Sequence, residues 1–293
     1  MSLSETRSGL IVKSIGGLYS VESPDGIFEC VPRGVFRKEG KSPCVGDRVG
    51  FSDENVITQI LPRKNHIIRP PLANMDQLFF VVSVCEPSPN LILLDKFIAI
   101  AEYKNIRPVV VLTKVDLDKF DNIFKIYSGA GIDVVVIDYS DNSGISRVKE
   151  MLSGKISAFT GNSGVGKSTL LNAIDSTLGI RTGEISRKLG RGRHTTRHAQ
   201  LYKLDNGGYI ADTPGFSTFE TNKYDIIRKE ELSACFTEFS EFSDKCRFND
   251  CSHTREKDCA VIRAVEEGAI SASRHESYCQ MYEEAKNIKE WEI

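Results

Sequence analysis

The sequence lacks long hydrophobic runs, internal repeats and low-complexity segments. Its apolar stretches, such as residues 78–84, are far shorter than the about 18 residues that a membrane-spanning helix needs, and no signal-peptide pattern opens the chain. We therefore expect a protein that has no membrane partner.

Cysteine is not scarce, but its distribution argues against a disulfide framework. Of the eight cysteines, four stand in scattered apolar contexts, namely Cys30, Cys44, Cys85 and Cys235. This pattern fits a protein of the reducing cytosol, and we expect a cytoplasmic monomer. With 293 residues, of which 40% are hydrophobic, the chain is long enough for two or three domains.

Residues 9–71 show short alternating apolar runs separated by turn signals. Gly16-Gly17 and Ser23-Pro24-Asp25-Gly26 stand where hairpin turns are needed. Five short strands in about 60 residues suit a small barrel of the OB type, which we assign to residues 1–72. Basic residues stand in its connecting segment and at its exit: Arg33, Arg37, Lys38, Lys41, Arg63, Lys64 and Arg69. They favour RNA as a ligand, although solvated charges on a purely structural barrel explain them equally well.

In residues 73–222 the pattern changes to one in which short buried strands alternate with helices. It is typical of an α/β nucleotide-binding domain, whose ligands bind at the carboxyl ends of the strands. Strands are predicted at residues 78–84, 108–112, 134–137, 156–160 and 209–211, and helices at 91–103 and 167–176. The remaining residues, 223–293, are predicted to form helices around a group of cysteines and a histidine.

A phosphate loop, Gly161-Asn162-Ser163-Gly164-Val165-Gly166-Lys167-Ser168, lies between a predicted strand and a predicted helix. Its glycines allow backbone N–H groups to surround phosphates, and the N-terminus of the helix favours anions. Lys167 is expected to contact the β- and γ-phosphates, and Ser168 to bind Mg²⁺. In this context the loop predicts a nucleotide site.

A base-recognition motif, Thr113-Lys114-Val115-Asp116, follows the predicted strand at residues 108–112. Asp116 can accept hydrogen bonds from guanine N1–H and the exocyclic amine, whereas adenine would leave the carboxylate unpaired. The motif therefore favours GTP over ATP. Lys114 is expected to lie along the base, and Thr113 to connect this loop with the phosphate loop.

A third motif, Asp212-Thr213-Pro214-Gly215, follows the predicted strand at residues 209–211. Asp212 is expected to hold the Mg²⁺ shell, and the Gly215 N–H to contact the γ-phosphate. The next residue is Phe216, at the place where Ras-like GTPases have a glutamine that orients water. A phenyl ring cannot do this, so unassisted hydrolysis should be no faster than about 10⁻³ s⁻¹.

Residues 181–203, between these motifs, contain seven lysines and arginines against a single acidic residue. Gly192-Arg193-His194-Thr195-Thr196 occupies the place of a first switch, and we assign the threonine that binds Mg²⁺ and γ-phosphate to Thr196, with Thr195 as the alternative. His194 is the nearest group able to orient water, although an ordinary loop histidine or an RNA contact explains it equally well. The natural partner of such a basic segment is RNA.

The order of these motifs is unusual. In an ordinary GTPase the phosphate loop comes first, the Asp-x-x-Gly element second and the base-recognition motif third. Here the base-recognition motif comes first and the Asp-x-x-Gly element last. A circular permutation of the domain produces this order.

A cluster of metal-binding residue types occupies 14 positions near the C-terminus: Cys246, Cys251, His253 and Cys259. These soft and borderline ligands suit one closed, tetrahedral, structural Zn²⁺ site. Buried or reactive cysteines are the alternative interpretation. Because residues 223–293 are acidic and have little apolar sequence for a core, we expect the metal to replace part of that core.

The motif order, the preceding barrel and the following Cys3His group together resemble the RsgA (YjeQ/YloQ) family of circularly permuted bacterial GTPases. The resemblance covers nearly the whole chain. It implies GTP hydrolysis stimulated by the small (30S) ribosomal subunit, a role in late maturation of that subunit, rRNA contact through the barrel and the zinc domain, and a cytoplasmic location.

Carried onto this sequence, the resemblance supports residues 113–116 and Gly161–Thr169 as the GTP site, the Cys3His group as the zinc site and His194 as the catalytic residue. One departure concerns the loop that backs the guanine base. It is expected near residues 137–140, where the usual Ser-Ala residues are absent.

Two other classes of function remain open from the residues alone. A non-catalytic, GTP-dependent RNA-binding switch is favoured by Phe216. A P-loop kinase or ATPase is opposed by Asp116.

Overall fold

The computed structural model describes residues 7–38, 40–68, 71–178, 199–212 and 226–288. These residues form two compact units. The first unit contains the described residues up to 78 together with 148–163, 167–178 and 199–212, and the second contains residues 79–147, 164–166 and 226–288.

The first five strands form a closed barrel in the first unit. The strands, in their order around the barrel, are β1 (Arg7–Ile15), β2 (Leu18–Ser23), β3 (Gly26–Pro32), β5 (Val56–Ile60) and β4 (Arg48–Phe51), which pairs again with β1. All pairs are antiparallel except β3 with β5. Fully buried side chains such as Ile11, Val21 and Phe51 fill the interior. The predicted five-stranded barrel is confirmed.

The barrel sheet continues beyond the barrel in the first unit. Strand β1 also pairs with β12 (Gln200–Lys203), which pairs antiparallel with β13 (Tyr209–Asp212). Strand β13 runs parallel to β11 (Ile156–Thr160), and helix α5 (Lys167–Ile174) follows β11 along the chain. The alternating pattern predicted β11 and β13, but it did not predict β12.

Three strands of the second unit lie in the order β10 (Asp133–Val136), β9 (Arg107–Thr113) and β8 (Gln77–Ser83). The first two residues of β8 belong to the first unit. Strands β9 and β10 are parallel. Residues 109–112 of β9 are completely buried, as expected for a strand covered on both faces. Helices α2 (Leu91–Tyr103) and α3 (Asp121–Gly129) connect these strands, and α4 (Ser143–Leu152) follows β10 along the chain. The predicted helix at residues 91–103 is confirmed.

The remaining described elements are mostly short, apart from one 15-residue helix at the end of the described chain. They are α1 (Val35–Lys38), a two-stranded pair of β6 (His66–Ile67) and β7 (Leu72–Ala73), and the C-terminal helices α6 (Lys229–Leu232), α7 (Ser240–Ser243), α8 (Ala260–Glu266) and α9 (Ala272–Lys286). Single 3₁₀ turns occupy Ser176–Leu178, Ser233–Cys235 and Thr237–Phe239. Within the described ranges, no helix has the length and apolar character needed to cross a membrane.

The C-terminal helices share a core with helix α2. Phe236, Phe239 and Tyr278 are almost fully buried and form edge-to-face and offset contacts with one another. Ala99 and Ile100 of α2 belong to the same cluster. The C-terminal segment therefore supplements its small core with apolar side chains from α2, a helix much earlier in the chain.

Arg274 of α9 forms a buried ionic centre in the same unit. Its guanidinium donates hydrogen bonds to Asp95 Oδ1 on α2 at 2.8 Å and to both carboxylate oxygens of Glu238 at 2.8 and 3.2 Å. It also lies 4.5 Å from the centroid of the Phe236 ring. Because Arg274 and Asp95 are each only 1% exposed, removing one partner would leave a buried charge without compensation.

Candidate functional site

A short hydrogen bond joins the base-recognition motif to the phosphate loop. Thr113 is the last residue of β9, is buried, and donates from Oγ1 to the backbone oxygen of Val165 at 2.6 Å. Gly166 has a φ of 91°, and a Cβ there would lie 3.8 Å from the Thr113 side chain. The two loops therefore meet at Thr113, the residue that was expected to connect them.

Lys114 adopts a left-handed backbone conformation, with a φ of 58°. Such a conformation is uncommon for a residue that is not glycine, and it is often found at functional sites. The Lys114 ammonium group donates to the backbone oxygen of Glu86, in the loop after β8. A turn from Leu117 N to Lys114 O at 3.0 Å closes the motif, and Asp116 within that turn is exposed. The Asp116 side chain is therefore accessible to a nucleotide base.

The loop after β8 contacts both the base-recognition motif and the phosphate loop, and no motif in the sequence predicted this. Its Glu86 carbonyl holds Lys114, and Pro87 Cδ would lie 3.9 Å from a Cβ at Gly164 of the phosphate loop. Ser83 Oγ donates to the Glu86 carbonyl at 3.0 Å, which fixes the orientation of that peptide. The only signal in the sequence is the position of this Pro-containing segment at the end of a buried strand, where α/β ligands bind.

In the first unit, the ends of two parallel strands carry the remaining described nucleotide motifs. Strand β11 leads into Gly161, Asn162 and Ser163, and α5 begins with Lys167 and Ser168 and continues through Thr169. Strand β13 ends at Asp212. Because β11 and β13 are parallel, their carboxyl ends lie at the same edge of the sheet. The start of the phosphate loop and Asp212 therefore lie next to each other at this edge. The N-terminus of α5, which follows the loop, is suited to an anion.

The loop expected to back the guanine base follows β10. The backbone N–H of Ile137 donates to Leu112 O at 2.8 Å, next to Thr113. Asp138 accepts hydrogen bonds from the Ser140 N–H at 2.8 Å and its hydroxyl at 2.7 Å, and these bonds lower the pKa of Asp138. A hydrogen-bonded turn between Asp138 and Ser140 thus occupies the place where the usual loop has a Ser-Ala pair.

Residues 181–198 of the basic segment and residues 213–215 of the third motif lie outside the described residues, and with them the predicted site residues His194, Thr195, Thr196 and Gly215. Phe216 and Arg69 do as well.

The Cys3His residues form one compact cluster in the second unit. The candidate ligand atoms of Cys246, Cys251, His253 and Cys259 all lie within 4.8 Å of one another. Cys246 Sγ and Cys259 Sγ are 3.8 Å apart, and each lies 3.5 Å from His253 Nδ1. A tetrahedral zinc ion with ordinary bond lengths requires sulfur–sulfur distances of about 3.8 Å and sulfur–nitrogen distances of about 3.5 Å. The cluster therefore has the dimensions to hold one metal ion.

The loop that carries these ligands is fixed by side chains around it. Glu256 accepts hydrogen bonds from the backbone N–H groups of Ser252, Thr254 and Arg255 at 2.9 to 3.1 Å. Although burial opposes ionisation of Glu256, hydrogen bonds from the Ser252 hydroxyl and from the backbone N–H groups of Ser252 and Arg255 lower its pKa to about 2. His275 also bonds to the His253 carbonyl at 2.7 Å. Loop geometry of this kind orients ligands before a metal arrives.

Two further cysteines of the second unit, Cys235 and Cys279, are outside this cluster. Cys235 is buried, and burial raises the pKa of its thiol to about 12. Cys279 is half-buried, with its sulfur 3.7 Å from His275 Nε2. Neither belongs to the four-residue group that could hold a metal.

Family models match two parts of the chain. The RsgA N-terminal domain matches residues 8–58, and the RsgA GTPase domain matches residues 60–222. The chain belongs to the RsgA GTPase family. The expected resemblance is confirmed, and the protein is a GTPase with an N-terminal barrel, a circularly permuted nucleotide-binding domain and a C-terminal Cys3His cluster.

Relatives in the RsgA family match over nearly their full length. The proteins named "Small ribosomal subunit biogenesis GTPase RsgA" from Ruminiclostridium cellulolyticum and Caldanaerobacter subterraneus subsp. tengcongensis are each 46% identical to this chain. The alignments cover 97% and 96% of this chain and 95% and 97% of the two relatives.

Solved structures from the RsgA family share the fold. The crystal structure of YjeQ from Thermotoga maritima matches with a TM-score of 0.81 and 38% identity, covering 97% of this chain and all of that one. The structure of YloQ, described as a circularly permuted GTPase, matches with a TM-score of 0.79 and 34% identity, covering 97% of this chain and 96% of that one.

Proposed function

We propose that this GTPase binds the small ribosomal subunit, assists its late maturation, and hydrolyses GTP to GDP and phosphate when the subunit stimulates it. The observation that carries the proposal is the joining of Thr113 to Val165, which brings a guanine-specific motif and a phosphate loop together despite their reversed order. The names of relatives that match along nearly the whole chain support the ribosomal role.

In the nucleotide site, we assign base recognition to residues 113–116 and phosphate binding to residues 161–169. Asp116 accepts two hydrogen bonds from guanine. Lys167 neutralises charge on the β- and γ-phosphates, while Ser168, Thr196 and Asp212 hold Mg²⁺ directly or through water. Bound Mg²⁺ supplies charge stabilisation for the phosphates. We assign Gly215 to the γ-phosphate and His194 to orienting the attacking water.

The barrel and the C-terminal part serve as RNA-binding appendages in this proposal. The functional domains are residues 1–72, 73–222 and 223–293. The Cys3His cluster holds one structural Zn²⁺, because its distances match a closed tetrahedral site and all four positions are filled by the chain. The protein acts as a cytoplasmic monomer on rRNA.

The proposal is tested by the rate of GTP turnover with and without purified small subunits. We expect slow turnover alone, no faster than about 10⁻³ s⁻¹, and a large increase with small subunits but none with large subunits. Equal rates in all three conditions would contradict the proposed role. The same assay on His194→Ala tests the catalytic assignment, because an unchanged stimulated rate would remove His194 from the mechanism.

A further inference from the structure

Glu22, on barrel strand β2, bonds to both strands of the β12–β13 hairpin. Its Oε2 accepts a 3.0 Å hydrogen bond from the Tyr209 hydroxyl on β13. Its Oε1 forms an ion pair with the Lys203 ammonium group on β12. Lys203 and Tyr209 are directly opposite each other in the hairpin. One barrel carboxylate therefore holds a complete cross-strand pair of the hairpin.

The Glu22 contacts are partly protected from water. The Glu22 side chain is 18% exposed, and Tyr209 is half-buried. Burial, followed by the hydrogen bond to Glu22, raises the pKa of Tyr209 above its ordinary value, so its hydroxyl stays protonated and able to donate even in mildly alkaline solution. Hydrogen bonds to an ionised acceptor are stronger than those between neutral groups. The carboxylate is thus a specific anchor for the Tyr209 hydroxyl.

The hairpin is anchored at its closed end by different contacts. Asn206, in the turn, donates from Nδ2 to the Lys149 carbonyl at 2.9 Å. A Cβ at Gly208 would lie 2.0 Å from the Leu152 carbonyl oxygen, so only glycine allows this close approach. The turn is therefore held against the end of α4, and Glu22 acts farther along the strands.

The open end of the hairpin carries Asp212. Asp212 pairs with Gln200 in the ladder, and Gln200 is also the hairpin residue that pairs with Lys13 of barrel strand β1. Tyr209 precedes Asp212 by three residues, a distance of about 10 Å along a strand. The Glu22 contacts therefore lie between the anchored turn and Asp212, the residue proposed to bind magnesium.

We propose that Glu22 is a positioning residue for magnesium-dependent GTP binding. By holding Lys203 and Tyr209, it fixes strand β13 and therefore the place of Asp212 at the end of that strand. Because Glu22 is paired with Leu10 across β1 and β2, the place of Asp212 depends on the barrel. The inference rests on the proposed function in one respect, the magnesium role of Asp212.

The test measures equilibrium affinity for a non-hydrolysable GTP analogue as a function of Mg²⁺ concentration, in the full-length protein. For Glu22→Gln, we expect the Mg²⁺ concentration at half-maximal affinity to rise about five-fold, which corresponds to about 1 kcal/mol, the typical net contribution of one hydrogen bond. Affinity in EDTA should remain at the wild-type value, because the base-recognition and phosphate loops are unchanged. Tyr209→Phe, which removes only the hydroxyl, should shift the Mg²⁺ dependence in the same direction.

Glu29→Gln is the matched control. Glu29 lies on the neighbouring strand β3 and accepts a 2.6 Å hydrogen bond from Ser20 within the barrel. Its variant should show the wild-type Mg²⁺ dependence.

If the role of Glu22 is purely structural, Glu22→Gln and Tyr209→Phe will melt at lower temperatures but keep the wild-type Mg²⁺ dependence. This result would overturn the inference and leave the proposed function intact. Wild-type protein whose GTP-analogue affinity does not depend on Mg²⁺ would instead overturn the magnesium assignment of Asp212, and the inference with it.

Discussion

The Thr113 hydroxyl donates a 2.6 Å hydrogen bond to the backbone oxygen of Val165. These residues are 52 positions apart, and they belong to a base-recognition motif and a phosphate loop that occur in reversed order. The bond shows how the permuted chain preserves the spatial relation between the two loops. A GTPase needs this relation, and not a particular chain order, because the nucleotide contacts both loops at once.

Replacing Thr113 with valine should weaken nucleotide binding. Valine has a similar shape but no donor, so the Val165 carbonyl loses its partner in a buried place. We expect a loss of about 1 to 1.5 kcal/mol, or roughly 5- to 12-fold in affinity. Titration with a fluorescent GDP analogue measures the change. Thr113→Ser keeps the hydroxyl and should bind more tightly than Thr113→Val; equal affinities for the two variants would show that the bond is unimportant.

Replacing Arg274 with methionine should strongly destabilise the protein. Asp95 and Glu238 would remain buried without their cation, and such a change costs about 3 to 5 kcal/mol in the free energy of unfolding. Urea denaturation followed by circular dichroism measures the cost. Arg255→Met is the control, because Arg255 is 77% exposed and pairs only at the surface with Glu283. Similar stabilities of the two variants would contradict the importance of the buried centre.

Removing a metal ligand should destabilise the C-terminal part of the chain. Purified protein should contain one zinc ion per chain by elemental analysis, and Cys246→Ser should contain less than this. The variant should also melt at a lower temperature, because bound metal contributes to folding. Cys279→Ser, outside the four-residue cluster, should retain the full zinc content. A wild-type protein without bound zinc, and whose melting temperature a chelator leaves unchanged, would refute the site.

Replacing Glu256 with alanine should weaken metal binding although Glu256 is not a ligand. The carboxylate holds the backbone N–H groups of Ser252, Thr254 and Arg255 on both sides of His253. We expect zinc affinity, measured by competition with a chromogenic chelator, to fall at least about 10-fold. Glu283→Ala removes an exposed carboxylate that bonds to Arg255 and Lys286 and should leave the affinity unchanged. An equal effect of both variants would point to general electrostatics instead of loop geometry.

The sequence was sufficient to predict the elements whose pattern is local. The five barrel strands, the helix at residues 91–103 and the strand before Thr113 follow from alternation, apolar runs and turn residues, and the structure confirms them. The Cys3His group was also predictable, because its ligands lie close together in the chain. These features depend on few long-range contacts.

Features that depend on distant partners were not predictable. Strand β12 is only four residues long, and its pairing with β1 joins residues 187 positions apart. Glu22 has no motif around it, and its role follows only from where Lys203 and Tyr209 lie in the folded chain. Similarly, no local pattern shows that Arg274 will meet Asp95 of α2. Such pairings are decided by tertiary packing, which a single sequence does not specify locally.

The central claim is that the reversed motifs form one guanine-specific site, and Asp116→Asn tests it most directly. Asparagine presents an amide donor where Asp116 presents only acceptors, so it fits the additional carbonyl of xanthine better than the amine of guanine. Equilibrium titrations with GDP and xanthosine diphosphate should show GDP affinity falling at least about 100-fold, with the xanthine nucleotide becoming the preferred ligand. If Asp116→Asn bound GDP with the wild-type affinity and showed no gain in affinity for xanthosine diphosphate, the base-recognition assignment would be wrong.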